Sequence, residues 1–318
     1  MKKLLFILAA ATLLLLPVAC QRNQTTSDGR PTIALVVKTL NNPFFNDMQK
    51  GAEEAAKSLN VHLLVQAAER EVDVEKQMQI IENLIQSKVS ALCITPSGSK
   101  EIIPAIVKAN QAGIPVIILD TRVNPEALAA ANGKIAAFIG SDNLEGGKLA
   151  GELMARTLGG KGKVAILEGI PGHETGDSRL KGFRQALAGS PGIQIVSSQT
   201  ANWERDQGYT VFQNMLQAHP DIQGLFACSD LMALGAVEAI RASGKTGKIT
   251  VIGFDAFSEA REAVQKGEMA GTVAQFPADM GKIGVESAAR LLKGERIQEE
   301  ITVKIQLITR DNLSSNKP

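Results

Sequence analysis

The stretch ALCITPSGSKEIIPAIVKANQAGIPVIILD, residues 91–120, decides the fold, because it returns in altered form as LFACSDLMALGAVEAIRASGKTGKITVIGFD, residues 225–255. Each copy is a short apolar run, a helix-spaced stretch and a second apolar run ending on an aspartate, Asp120 or Asp255. Cys93 and Cys228 share the offset that pairs those aspartates. Working outward, further apolar runs lie at 32–37, 61–66, 136–140, 163–169, 193–198 and 270–275. Amphipathic stretches such as EKQMQIIENLIQSK (75–88) fill most of the gaps. Strands this apolar do not suit a sheet wetted on one face; they indicate parallel sheets covered by helices on both faces. QKGAEEA (49–55) and LKGFRQA (180–186) extend the echo to the start of each half. The expectation is an α/β fold of two similar doubly wound parallel-sheet lobes.

The 34 basic and 33 acidic residues leave a net charge of +1, which argues against a nucleic-acid partner. Cys93 and Cys228 sit in apolar runs and read as buried small hydrophobes, too few for a disulfide framework. At the start, Lys2-Lys3 precedes an apolar run from Leu4 to Leu16 and then Pro17-Val18-Ala19-Cys20, the order of a secretory signal peptide over 1–20. Cys20 has two readings. It resembles the acylated first residue of a bacterial lipoprotein, with Pro17 where leucine is more usual, or it is incidental to a nearby cleavage point. Residues 21–30 (QRNQTTSDGR) read as a flexible tether. The folded body is expected outside the cytoplasm.

In doubly wound sheets a ligand binds beyond the carboxyl ends of the strands, so residues just after each run are the candidates. After the first run comes Lys38, then Asn42-Pro43-Phe44-Phe45: a helix cap with core aromatics, or a donor–acceptor amide with an aromatic free to cover a ligand. Asp120, followed by Thr121, and Asp255, preceded by Phe254, either cap helices or accept two hydroxyl hydrogens each, as adjacent sugar hydroxyls require. In the polar loop 168–179, Asp177 is the candidate contact and Arg179 reads as structural. His173-Glu174 lacks a second histidine at metal-ligand spacing, and no metal or cofactor is expected. Trp203, the single tryptophan, packs at the surface or covers the C–H face of a sugar ring. Asp230 reads as a helix N-cap that leaves Ser229 facing the cleft, and Asp142 with Glu145 as a capping box. Gln275 precedes the return to the first lobe.

IALVVKTLNNPFF, SDNLEGG (141–147), FACSDLMALGA, VIGFDA and VAQFP, in that order, resemble the periplasmic sugar-binding proteins of ABC transporters, of the ribose-binding kind, from Arg30 to about Arg310. The resemblance implies two lobes joined by a three-strand hinge and closing on a monosaccharide. Its N-terminal lobe is 31–138 plus 276–303 and its C-terminal lobe 139–275 plus 304–318, with crossings near Phe138–Gly140, Gln275–Phe276 and Val303–Lys304. It puts Asn42, Phe44, Phe45, Asp120, Trp203, Ser229, Phe254, Asp255 and Gln275 in the ligand shell. The chain departs from the ribose pattern at Lys38, Thr121, Asp177, Ser229 and Trp203, where that pattern has a small hydroxyl residue, arginine, arginine, asparagine and phenylalanine. Those departures make the cleft more acidic and point to a neutral hexose, pentose or polyol, or to an amino sugar paired with Asp177.

The implied function is solute capture for an ABC importer: binding without catalysis, delivery to a membrane permease, a lipid tether at Cys20, and a monomer. A chemotaxis or sensor-kinase ligand carrier is the alternative. A transcriptional regulator of this lobe design would need a DNA-binding segment where the signal peptide stands. A secreted enzyme would need a nucleophile partnered by His62, His173 or His219, and the sequence shows none.

Overall fold

The structure, a computed structural model, describes residues 29–313; the expected signal peptide, Cys20 and nearly all of the tether lie outside the described residues. Strands β1 (Thr32–Thr39), β2 (His62–Ala68), β3 (Ala91–Ile94), β4 (Val116–Leu119) and β5 (Ala137–Ser141) come first. Then follow β6 (Lys161–Glu168), β7 (Gly192–Thr200), β8 (Gly224–Ala227), β9 (Thr250–Asp255), β10 (Gly271–Ala274), β11 (Glu300–Val303) and β12 (Gln306–Thr309). One sheet has the order β2-β1-β3-β4-β5-β11 and the other β7-β6-β8-β9-β10-β12. The same order twice makes two lobes of one design, with Asp120 and Asp255 at the end of the fourth strand of each.

Both faces of each sheet are covered. Along β1, Ile33, Leu35 and Val37 join one buried cluster while Ala34 and Val36 join another on the opposite face, as the two-residue strand period requires. The helix Pro43–Leu59 packs against Pro277–Leu292, so a segment late in the chain closes the first lobe. Cys93 and Cys228 are buried free thiols, pushed up to about 12 by desolvation.

The chain passes between the sheets after Ser141, after Ala274 and after Val303. The last passage adds one antiparallel edge strand to the otherwise parallel second sheet. Only Lys304 and Ile305 separate β11 from β12. Strand β11 runs parallel to β5 and leaves the first sheet at its carboxyl end, so β12 starts opposite the end of β10 (Gln306 beside Ala274) and runs antiparallel to it. No helix among the described residues is long and apolar enough to cross a membrane.

Candidate ligand-binding site

The carboxyl ends of both sheets face a cavity lined by Lys38, Asn42, Phe44, Phe45, Glu71, Asp120, Thr175, Arg179, Trp203, Ser229, Asp255 and Gln275.

On the first lobe, β1 carries Lys38 into the cavity, where 3 % of the residue remains exposed. Its ammonium lies 3.7 Å from Glu71 and 3.6 Å from Asp120. Asn42 caps the helix Pro43–Leu59 by accepting from the Phe44 amide (3.0 Å) and donates to Glu71 (2.8 Å). Both readings of the NNPFF segment therefore meet in one place. Phe44 and Phe45 are both buried, set edge to face at 86°, and both border the cavity.

Asp120 has a φ of 60°, and the Thr121 amide bonds the Leu119 carbonyl across it at 2.7 Å. A three-residue turn around a left-handed aspartate is strained. It aims the carboxylate beyond the strand end instead of into the next helix. Asp255, with φ 116°, departs from regular strand geometry at the matching position.

On the second lobe, the expected loop 168–179 is already helical from Glu174 onward. That corrects the reading of its side chains. Residues four apart share a helix face and residues two apart do not. Thr175 and Arg179 both line the cavity, and Asp177 borders a separate groove with Pro171 and Gly172. Arg179, read from sequence as structural, is locked by bonds from Nε to Asn143 (2.8 Å) and from Nη1 to the Cys228 carbonyl (2.7 Å). It stacks on Phe254 at 3.8 Å and stands 3.8 Å from Asp255. Phe254 is fully buried beneath that guanidinium, so it floors Arg179 and does not line the cavity. Thr121 also stays off the cavity: its hydroxyl is buried and donates to Asp120 at 2.8 Å.

The capping roles after β8 are exchanged. Ser229 is the N-cap of the helix Asp230–Ala242, accepting from Met232, and still borders the cavity. Asp230 lies beneath, holding the Thr272 hydroxyl (2.7 Å) and the Phe257 amide (3.0 Å). Asp142 caps its helix through the Glu145 amide. Gln275 donates to Asp255 at 2.7 Å, while its Oε1 is buried and unpartnered among the described residues, ready to accept from a ligand. Glu71 and Thr175 were not singled out in the sequence. Glu71 follows a polar turn with no strand-end signature, and Thr175 is legible only once its helix is known.

The charges nearly balance. Three carboxylates face two cations, but desolvation pushes Asp255 up to about 7 against the pull of Arg179. Desolvation likewise raises Glu71, with Lys38 opposing the shift.

A family model described as periplasmic binding protein domain matches residues 33–296. The chain belongs to the periplasmic binding protein family. The ribose import binding protein RbsB of Bacillus subtilis is 41 % identical over 278 residues, 87 % of each chain. Among solved structures, a periplasmic solute-binding protein of an Actinobacillus succinogenes ABC transporter, with bound D-allose, has a TM-score of 0.86 and 41 % identity, covering 90 % of this chain and 100 % of its own. A solute-binding protein from Bacillus halodurans with bound myo-inositol has a TM-score of 0.83 and 29 % identity, covering 92 % of this chain and 98 % of its own.

Proposed function

We propose that this periplasmic binding protein captures a neutral monosaccharide or polyol between its lobes and delivers it to the membrane permease of an ABC importer. One observation carries the reading: Asp120 and Asp255, in unusual backbone conformations at equivalent strand ends, border one cavity with Phe44, Phe45 and Trp203. Each aspartate keeps a cation at 3.6–3.8 Å and a neutral donor nearer. That arrangement leaves acceptor capacity for vicinal hydroxyls, while the aromatics cover a sugar's C–H faces. The near-balance of charge favours a neutral ligand over a hexuronate or sugar phosphate. An amino sugar would pair with the cavity carboxylates, since Asp177 stands elsewhere.

Relatives whose names specify ribose, D-allose and myo-inositol support this ligand class. Closure is the capture step of this reading: a ligand bonded to both lobes gains its full set of contacts only when they meet, so it shifts the population to the closed form. The moving bodies are the two sheets with their helices, hinged where the chain crosses after Ser141, after Ala274 and after Val303. Secretion by the segment 1–20 and acylation at Cys20 would hold the protein beside its permease, raising its local concentration there. A calorimetric panel of D-ribose, D-allose, myo-inositol, glucosamine and a hexuronate tests the reading. Binding confined to the hexuronate would overturn it.

A further inference from the structure

His173 bridges the lobes. Its Nε2 lies 2.8 Å from the Ser97 carbonyl on the first lobe, and its Nδ1 accepts from the Trp203 indole at 3.4 Å on the second. Trp203 borders the ligand cavity; His173 does not. The imidazole is 3 % exposed. A carbonyl on one side demands a hydrogen on Nε2, and an indole N–H on the other demands a bare lone pair on Nδ1. One neutral tautomer satisfies both. An imidazolium would set N–H against N–H.

We propose that His173 is a positioning residue that fastens the cavity wall at Trp203 to the opposite lobe, and that only its neutral form permits closure over a ligand. This rests on the reading of the cavity as a sugar site. Acidification would then open the protein and release its sugar.

The surroundings agree. Burial pushes the His173 imidazole down to about 3, the Lys38 ammonium adds to that depression, and the Ser97 carbonyl opposes it. Lys100, Glu101, Arg122, Glu174 and Asp177 share the groove His173 borders, and Arg179 lies 5.6 Å over the Trp203 ring. None makes a hydrogen bond or ion pair to the imidazole. In an open form, with Ser97 and Lys38 withdrawn, an ordinary histidine titrates near 6.5. The closed form is thus fully favoured above about pH 6.5 and loses ground as pH falls toward 3.

His173→Gln separates titration from packing, because the amide keeps one donor and one acceptor and carries no charge. Calorimetry with D-allose and D-ribose at pH 7.5 and 5.5 should show the unaltered protein losing about tenfold more affinity than H173Q over that interval. Asp255 titrates in both proteins, so the comparison isolates His173. Equal losses would overturn the proposal. A second arm needs no variant: among the three histidines, one imidazole resonance should titrate near pH 6.5 without sugar and stay neutral to pH 5 when saturated. If all three titrate alike with and without sugar, the latch is refuted. If no sugar binds either protein at any pH, the sugar-site reading itself fails, and the latch with it.

Discussion

Gly169 and Trp203 are fitted to one another: a β-carbon on Gly169 would lie 1.9 Å from Cζ2 of the indole. The glycine directly follows β6, and its missing side chain is the space in which the tryptophan reaches the cavity wall. Gly169→Ala therefore has to displace the ring. Overpacking of this kind costs about 1–3 kcal/mol, and the site is lost before the fold is. The expected outcome is at least about a tenfold loss of sugar affinity, with a shifted tryptophan emission and an unchanged far-UV circular dichroism spectrum. Full affinity in this variant would show that the indole position is immaterial to binding.

Lys38 is enclosed by Glu71 and Asp120, all three nearly buried. Removing the ammonium alone strands two carboxylates, and breaking a buried pair costs about 3–5 kcal/mol. Lys38→Met should be destabilised by that amount in urea unfolding at pH 7.5. The double variant K38M/E71Q should recover more than half of the loss, because it removes one of the stranded charges. Additive effects of the two substitutions would mean that the ions do not interact.

Asp255 supplies a pH signature of its own. Its folded pKa, about 7, is raised above the ordinary aspartate value by burial. A raised carboxylate stabilises the folded state in its protonated form, so its contribution is fully present below about pH 4 and is lost as pH rises through 7. Asp255→Asn should thus raise the melting temperature at pH 7.5, by roughly 2–4 °C for each kcal/mol recovered, while losing most of the sugar affinity. Differential scanning calorimetry across pH 4–8 measures the first effect; a lower melting temperature for the variant at pH 7.5 would contradict it. Stability gained where binding is lost is the usual trade at a functional site.

Asp120 and Asp255 were legible because apolar runs mark strand ends and the duplication matched the two positions. The same rule made Lys38, Asn42, Phe44, Phe45, Trp203, Ser229 and Gln275 candidates, the family resemblance turned them toward a ligand, and all border the cavity. The helix starting at Glu174 was hidden by the glycines and charges around it, so Asp177 was chosen and Arg179 set aside, although helical phase favours Thr175 with Arg179. Strands β11 and β12 were missed as apolar runs because they lie at sheet edges and alternate partly exposed residues with buried ones. His173 drew attention only as a metal ligand or a partner for a nucleophile; its bond to Ser97 joins residues distant in sequence and has no local signature.

Trp203 is the single tryptophan and lines the cavity, so its fluorescence reports on the site alone. Titration of the folded protein with a panel of neutral sugars, polyols and amino sugars is the most direct measurement. A saturable change in emission with at least one neutral sugar or polyol is the outcome this account predicts. No change with any member of the panel, in a protein whose circular dichroism confirms the fold, would contradict it.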